Sequence, residues 1–228
     1  MNPSTALAIA VRDELASAGV RRVVISPGSR STPLALALAH AADAGWFELF
    51  IRIDERSAGF LALGLAKHSG EPTAVLCTSG SAVANLAPAV VEASYAGVPL
   101  VVLTADRPPS LRSTGANQTI DQVGFYGQLV RRSLDLSTGE QVGKHVTANS
   151  DRWRPDLQRA LHASLGAEGA IGPVQINLGF VEPLIPDDPA DLAVGMKPEV
   201  AVEAVRPGIA EPINHAFADL GYTTIPNK

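Results

Sequence analysis

The sequence predicts an α/β domain built on a six-stranded, mostly parallel sheet with helices on both faces. Short apolar, β-branched runs recur near 22–26, 48–53, 73–78, 100–104, 130–135 and 173–178, the pattern of strands buried on both sides. Most of the intervals between them carry helical spacing, as crossover connections between parallel strands require. The 228 residues are 46% hydrophobic, enough to fill the core of such a unit.

Taken in order, residues 3–18 read as an amphipathic helix packed on a sheet, with Asn2 as N-cap, Pro3 in the first turn and Gly19 past the end. Strand one, Arg22 to Ser26, leads through Pro27-Gly28-Ser29-Arg30-Ser31-Thr32 into an Ala/Leu-rich helix over 33–43, capped by Thr32 or Ser31. Strand two is followed by a helix over 55–69 that Gly70 stops. Strand three turns through Thr78-Ser79-Gly80-Ser81 into a helix over 82–96, where Pro88 predicts a kink or restart. After strand four, residues 105–118 lack periodicity and form a long loop, of the kind that is usually functional. A short helix over 121–129, strand five, a helix over 154–166 and strand six complete the unit. From Val181 the Pro- and Asp-rich chain reads as an exit linker. The expected division is a domain over 1–186 and a linker with an irregular tail over 187–228, with at most one short helix near 210–220.

The stretch Ile51 to Ala66 runs from strand through Asp54-Glu55 directly into a helix that is apolar on nearly every side. Such a helix has to be buried, and Glu55 would then enter at the edge of an apolar mass, where a carboxylate is disfavoured and its pKa is expected to rise. The plainer reading makes Asp54 a helix cap and Glu55 a complement to the helix dipole.

The formal charge of −5 is spread along the chain without a basic stripe, which argues against nucleic acid as a partner. Arg12, Asp13 and Glu14 interrupt the N-terminal apolar stretch, and no apolar run is long enough to span a bilayer. The expectation is a cytoplasmic protein without membrane insertion. Cys77 lies in an apolar strand and reads as core filler. His40, His145, His162 and His215 lack metal-ligand spacing and His68 suits a helix end, so no metal site built by the protein is expected.

Ligands of open parallel sheets bind beyond the carboxyl ends of the strands. Four candidates fall there: the Pro27 to Thr32 loop, Glu55, Ser79-Gly80-Ser81, and the loop from Arg107 to Gln118. Ser29, Arg30 and Arg107 suit carboxylates or phosphates, although either arginine could equally fix its own loop. No Lys-Ser/Thr follows in the first loop, so it is not a Walker-type nucleotide site. Asn117 and Gln118 could read an acidic or hydroxylated ligand, or cap the next element.

Four motifs in order, Ser26-Pro-Gly-Ser-Arg-Ser-Thr-Pro-Leu34, Asp54-Glu-Arg-x3-Phe-Leu-Ala-Leu-Gly-Leu-Ala66, Thr78-Ser-Gly-Ser-Ala-Val-Ala-Asn85, and Thr104-Ala-Asp-Arg-Pro-Pro109 with Gly115-Ala-Asn-Gln118, resemble the pyrimidine-binding domain of the MenD family. These are the thiamine-diphosphate-dependent 2-succinyl-5-enolpyruvyl-6-hydroxy-3-cyclohexene-1-carboxylate (SEPHCHC) synthases of menaquinone biosynthesis, and the match covers about residues 1–186. The resemblance implies the thiamine-diphosphate-enzyme pyrimidine-binding fold. It makes Glu55 the catalytic activator, hydrogen-bonded to the cofactor pyrimidine, and has Pro27 line the cofactor. It assigns Ser29, Arg30, Arg107 and Gln118 to isochorismate, to which the succinyl unit of decarboxylated 2-oxoglutarate is added.

The family's pyrophosphate-binding domain carries a Gly-Asp-Gly…Asn motif for Mg²⁺, and that motif does not occur in these 228 residues. The resemblance therefore implies a partner: the pyrophosphate-binding domain of another subunit, in a homodimer or homotetramer, with this chain inactive alone. Two other readings stay open. One is a different thiamine-diphosphate 2-oxo-acid decarboxylase or synthase; the other is a non-catalytic domain that binds a small carboxylate or regulates a partner.

Overall fold

The computed structural model describes residues 1–138, 141–142, 145–146 and 150–195; the helix expected near 210–220 lies outside them. Strands β1 (Arg22–Ile25), β2 (Glu48–Ile51), β3 (Thr73–Cys77), β4 (Leu100–Asp106), β5 (Ser133–Ser137) and β8 (Val174–Gly179) form one sheet in the order β2-β1-β3-β4-β8-β5. Every neighbouring pair in it is parallel. A two-residue antiparallel pair that the periodicity did not reveal, β6 (Gln141–Val142) with β7 (His145–Val146), stands apart.

Two apolar clusters lie on the two faces of the sheet. One joins helices α1 (Pro3–Ser17), α2 (Thr32–Asp43) and α6 (Ser150–Ser164) to strand residues such as Val23, Leu76, Leu103 and Ile176. The other joins α3 (Glu55–Ser69), α4 (Ser81–Asn85) and α5 (Ala87–Ala96) to Val24, Val75, Cys77 and Val102. Val23 and Val24 fall in opposite clusters because successive strand residues point to opposite faces.

Local signals placed most helix ends. Asn2 accepts the Thr5 N–H at 2.9 Å, Asp54 accepts the Ser57 N–H at 2.7 Å, and Gly70 closes α3 with φ 73°. The helix containing Pro88 restarts at Ala87, giving α4 and α5. Ser31 occupies the cap position of α2 but makes no capping bond. Residues Ser29–Ser31 instead form a 3₁₀ turn, with Ser31 Oγ donating to Gly28 O at 2.9 Å.

Elsewhere tertiary contacts overrode the pattern. In place of a helix over 121–129 there are turns and a 3₁₀ segment, Gly127–Leu129. Gly124 and Gly127 take positive φ there, and Gln122 is drawn into the sheet network described below. Strand β5 begins later than expected because Arg131 is engaged with the carbonyls of Ser94, Ala170 and Ile171. Helix α1 is not amphipathic: Arg12, Asp13 and Glu14 are all buried. Arg12 binds Asp13 and the carbonyls of Leu192 and Val194, while Arg154 of α6 binds Asp13 and Glu14, both at 2.9 Å. The segment from Val181 to Gly195 thus runs along α1, with further bonds from Ser4 to Val181 O and from Asn2 to Ile185 O.

Helix α3 departs most from expectation. Ala58, Gly59, Ala62 and Ala66 are buried, whereas Phe60 and Gly64 are exposed, and Ile53 just before the helix is 88% exposed. Small residues on one face let α3 approach α5 closely: a Cβ on Gly59 would lie 2.9 Å from the Ala89 Cβ. Leu61, Leu63 and Leu65 are only half-buried against the second cluster, and Phe60 is left exposed among the described residues.

Candidate functional site

Because all six strands of the sheet are parallel, the segments following β1, β2, β3 and β4 emerge on one edge. The strand order reverses between β1 and β3, which flank each other although β2 intervenes in sequence; ligands of such sheets bind at this kind of switch point. Gly28 lies directly against Thr78 there, so tightly that a Cβ at residue 28 would overlap the Thr78 side chain. Pro27, Gly28, Ser29, Ser31 and Thr32 line one wall of an open groove of about 510 Å³, faced by Leu49 and Ile51.

Glu55 opens α3 and is half-buried. Its carboxylate accepts no hydrogen bond from the described residues, and it lies close enough to Cys77 that, after burial, its charge is the next cause holding that thiol above its ordinary pKa. The enclosure expected around Glu55 is incomplete within these residues, since Ile51, Ile53 and Phe60 beside it are exposed. A carboxyl group at the rim, reachable from the solvent side and uncommitted among the described residues, is able to share a proton with a basic ligand atom. Pro27, also exposed, adds an apolar surface to the same edge.

Arg30 and Arg107 come together as two cations. Arg30 is 8% exposed, donates to Phe180 O at 3.0 Å and approaches Glu182 at 3.6 Å, and its buried Nε has no hydrogen-bond partner among the described residues. Burial first, and then the charge of Arg107, pull the Arg30 guanidinium below its ordinary pKa; Glu182 and Asp106 act in the opposite sense. Arg107 is half-buried and binds the Asn117 carbonyl through Nε and Nη2 at 3.0 and 2.6 Å. A buried cation that feels the repulsion of a second one is stabilised by an added anion.

β4 continues to Asp106, two residues past the expected strand end, so the loop runs over 107–118, and its far end is latched to the turn after β3. Ser79 Oγ donates to Gln118 O and Gln118 Nε2 donates to Ser79 O, each at 3.0 Å, with Gln118 at φ 55°. Asn117 contributes its carbonyl rather than the amide donors expected of it. Ser29 stands exposed at the rim, its side chain making no hydrogen bond to the described residues.

The sequence did not reveal the polar network beneath this loop. Asn177 of β8 donates from Nδ2 to Asp106 at 2.9 Å and to Asp135 at 2.8 Å, and accepts from Thr104 Oγ1 and Gln122 Nε2. Arg112 forks onto both oxygens of Asp135 at 2.8 and 2.9 Å. Its Nε lies 2.9 Å from Asp106 Oδ2, an ion pair whose angle falls short of a hydrogen bond. Burial raises the Asp106 pKa; Asn177, Arg112 and the Arg107 N–H oppose it. Only the adjacency of Asp106 to Arg107 hinted at this network, since its other members come from distant strands.

Among the described residues no group of three His, Cys, Asp or Glu could hold a metal ion, and no helix is long and apolar enough to cross a membrane.

Residues 5–125 match the family model described as thiamine pyrophosphate enzyme, N-terminal TPP binding domain. The chain is 54% identical over 188 residues to a SEPHCHC synthase of Mycobacteroides abscessus, covering 82% of this chain and 35% of that protein. It is 52% identical to proteins of the same name from Saccharopolyspora erythraea, over 191 residues, and Mycobacterium tuberculosis, over 188, covering 84% and 82% of this chain and 34% of each. The chain therefore spans about a third of the length of these relatives and is homologous to their N-terminal region. By its fold and this match, the chain belongs to the thiamine pyrophosphate enzyme family as an N-terminal TPP-binding domain.

Proposed function

We propose that this chain is the pyrimidine-binding part of a SEPHCHC synthase, a transferase of menaquinone biosynthesis that uses thiamine diphosphate, 2-oxoglutarate and isochorismate. The observation that carries this reading is that two arginines close enough for their charges to repel lie on the same edge as the uncommitted Glu55 carboxylate.

Glu55 is the catalytic residue: it binds the pyrimidine ring nitrogen and exchanges the proton that switches the cofactor on. Pro27 supports the ring. Thiamine diphosphate, when bound, supplies the carbon that attacks the 2-oxo acid and stabilises the charge left by departing CO₂. Arg30 and Arg107 hold the carboxylates of isochorismate, a dianion, with Ser29 and Gln118 reading its remaining polar groups. Mg²⁺ and the diphosphate are held by the pyrophosphate-binding domain of another subunit in a homodimer or homotetramer. The domain covers 1–186, with 187–228 as linker and tail, and works in the cytoplasm.

In the synthase assembled from this chain and its pyrophosphate-binding partner, Arg30→Ala and Arg107→Ala are expected to raise KM for isochorismate at least tenfold more than KM for 2-oxoglutarate. A charge-assisted hydrogen bond contributes about 1.5–3 kcal/mol, which is of that order. Equal effects on both substrates would assign the arginines elsewhere.

The chain alone is expected to self-associate and to bind no thiamine diphosphate at micromolar concentration, with or without Mg²⁺. The exposed Ile51, Ile53 and Phe60 favour association, and a divalent ion needs several oxygen ligands that the described residues do not gather. Tight, Mg²⁺-dependent binding to a monomer in calorimetry would contradict this.

A further inference from the structure

The loop over 107–118 carries two of the four residues assigned to the anionic substrate, and a free loop of that length would not hold a guanidinium in one place. Among the charged groups left without a role by the proposed function, buried Asp106, half-buried Arg112 and Asp135 on β5 stand out, because their side-chain bonds meet at the root of this loop.

Asp106 is fully buried at the end of β4. Oδ1 accepts the Arg107 N–H at 2.7 Å, while Oδ2 takes Asn177 Nδ2 and faces Arg112 Nε, both at 2.9 Å. The same carboxylate thus holds the backbone of Arg107 and supplies a negative charge that favours the charged form of Arg30. Arg112 sits five residues further along the loop and ties it to β5 through its fork on Asp135. Although burial works against its charge, the bond to Asp135 and the charges of Asp106 and Asp135 hold Arg112 above its ordinary pKa. The stretch between Asp106 and Arg112 is thereby closed by a bridge at its base, with Arg107 projecting from it and its guanidinium steadied by the Asn117 carbonyl.

We propose that Asp106, Arg112 and Asp135 form a clamp that positions Arg107 against Arg30, so that they govern recognition of the anionic acceptor without touching it. They are positioning residues. This rests on the proposed function, because it takes the acceptor to lie at the arginine pair. Cofactor activation proceeds at Glu55, which takes no part in this network, so the clamp should act on one substrate and spare the other.

The test is made in the assembled synthase. Arg112→Gln is expected to raise KM for isochorismate at least tenfold while KM for 2-oxoglutarate and kcat change less than about threefold. Arg112→Lys, which keeps the charge but cannot bridge two carboxylates with a fork, should fall between. Amide hydrogen exchange over 107–118 should quicken in Arg112→Gln and remain as in wild type over β3 and α3. Should Arg112→Gln fail to fold, Asp135→Asn removes the same fork from the β5 side and is expected to show the same split in KM. Two results overturn the proposal: an unchanged isochorismate KM in a folded variant, or equal rises for both substrates. If the wild-type assembly does not convert isochorismate at all, the functional reading falls and takes the clamp with it. If the wild type is active and the variants show no split, only the clamp falls.

Discussion

Replacing Glu55 by glutamine in the assembled synthase is expected to lower kcat by roughly 10²–10⁴-fold, the range contributed by a positioned proton-transfer group. Glutamine keeps the length and a hydrogen-bonding head but cannot take up or release the proton. The fold should survive. Glu55 is half-buried and accepts no hydrogen bond from the described residues, and the cap of α3 is supplied by Asp54 rather than by Glu55. The loss of one favourable charge at a helix N-terminus costs only about 0.3–1 kcal/mol. The measurement is kcat at saturating cofactor and both substrates, alongside the denaturation midpoint. A near-normal rate would remove Glu55 from the proton role and leave the plainer reading, a charge placed to suit the helix dipole.

Gly28→Ala should both destabilise the domain and impair the site. The backbone there is extended, with φ −174°, so alanine could adopt it without strain. The obstacle is steric: an added Cβ would meet the Thr78 side chain, including Cγ2 and Oγ1 at 2.6 Å. Thr78 is buried at the end of a central strand and has little freedom to yield. Overpacking of this kind costs about 1–3 kcal/mol, and the segment that must shift carries Ser29 and Arg30. The expected result is a lower urea midpoint together with a raised KM for isochorismate. Thr78→Gly removes the atoms that the new methyl meets, so the double variant should recover much of the loss from Gly28→Ala. A Gly28→Ala protein with wild-type stability and KM would show that the two strand ends do not approach so closely.

Much of the fold was legible because its causes are local. The apolar β-branched runs that became β1, β3 and β4 mark strands enclosed by helices on both sides, β2 forms a partly exposed edge, and the carboxyl ends of all four necessarily share one side once the strands are parallel. Asn2, Asp54, Gly70 and Pro88 act within one helical turn of themselves, so their effects could be read without knowing the rest of the chain. The rim candidates followed from the same reasoning, and the fold brought Arg30 to Arg107 and Gln118 to Ser79.

Composition and spacing could not supply what distant partners decide. The charges of α1 look like a solvent-facing stripe, yet their partners lie 180 residues away at Leu192 and 140 residues away at Arg154. A helix apolar on most sides implied complete burial, but α3 covers only one face within the described residues. The sequence by itself determined the central strands, several helix ends and the edge on which the chemistry lies, because capping, periodicity and strand burial are set by neighbours a few residues apart. Only the tertiary structure decided that Asp106, Asn177 and Asp135 meet under the Arg107 loop, because that meeting depends on β8 inserting between β4 and β5, with Asn177 level with Asp135 and two residues short of Asp106 in the register.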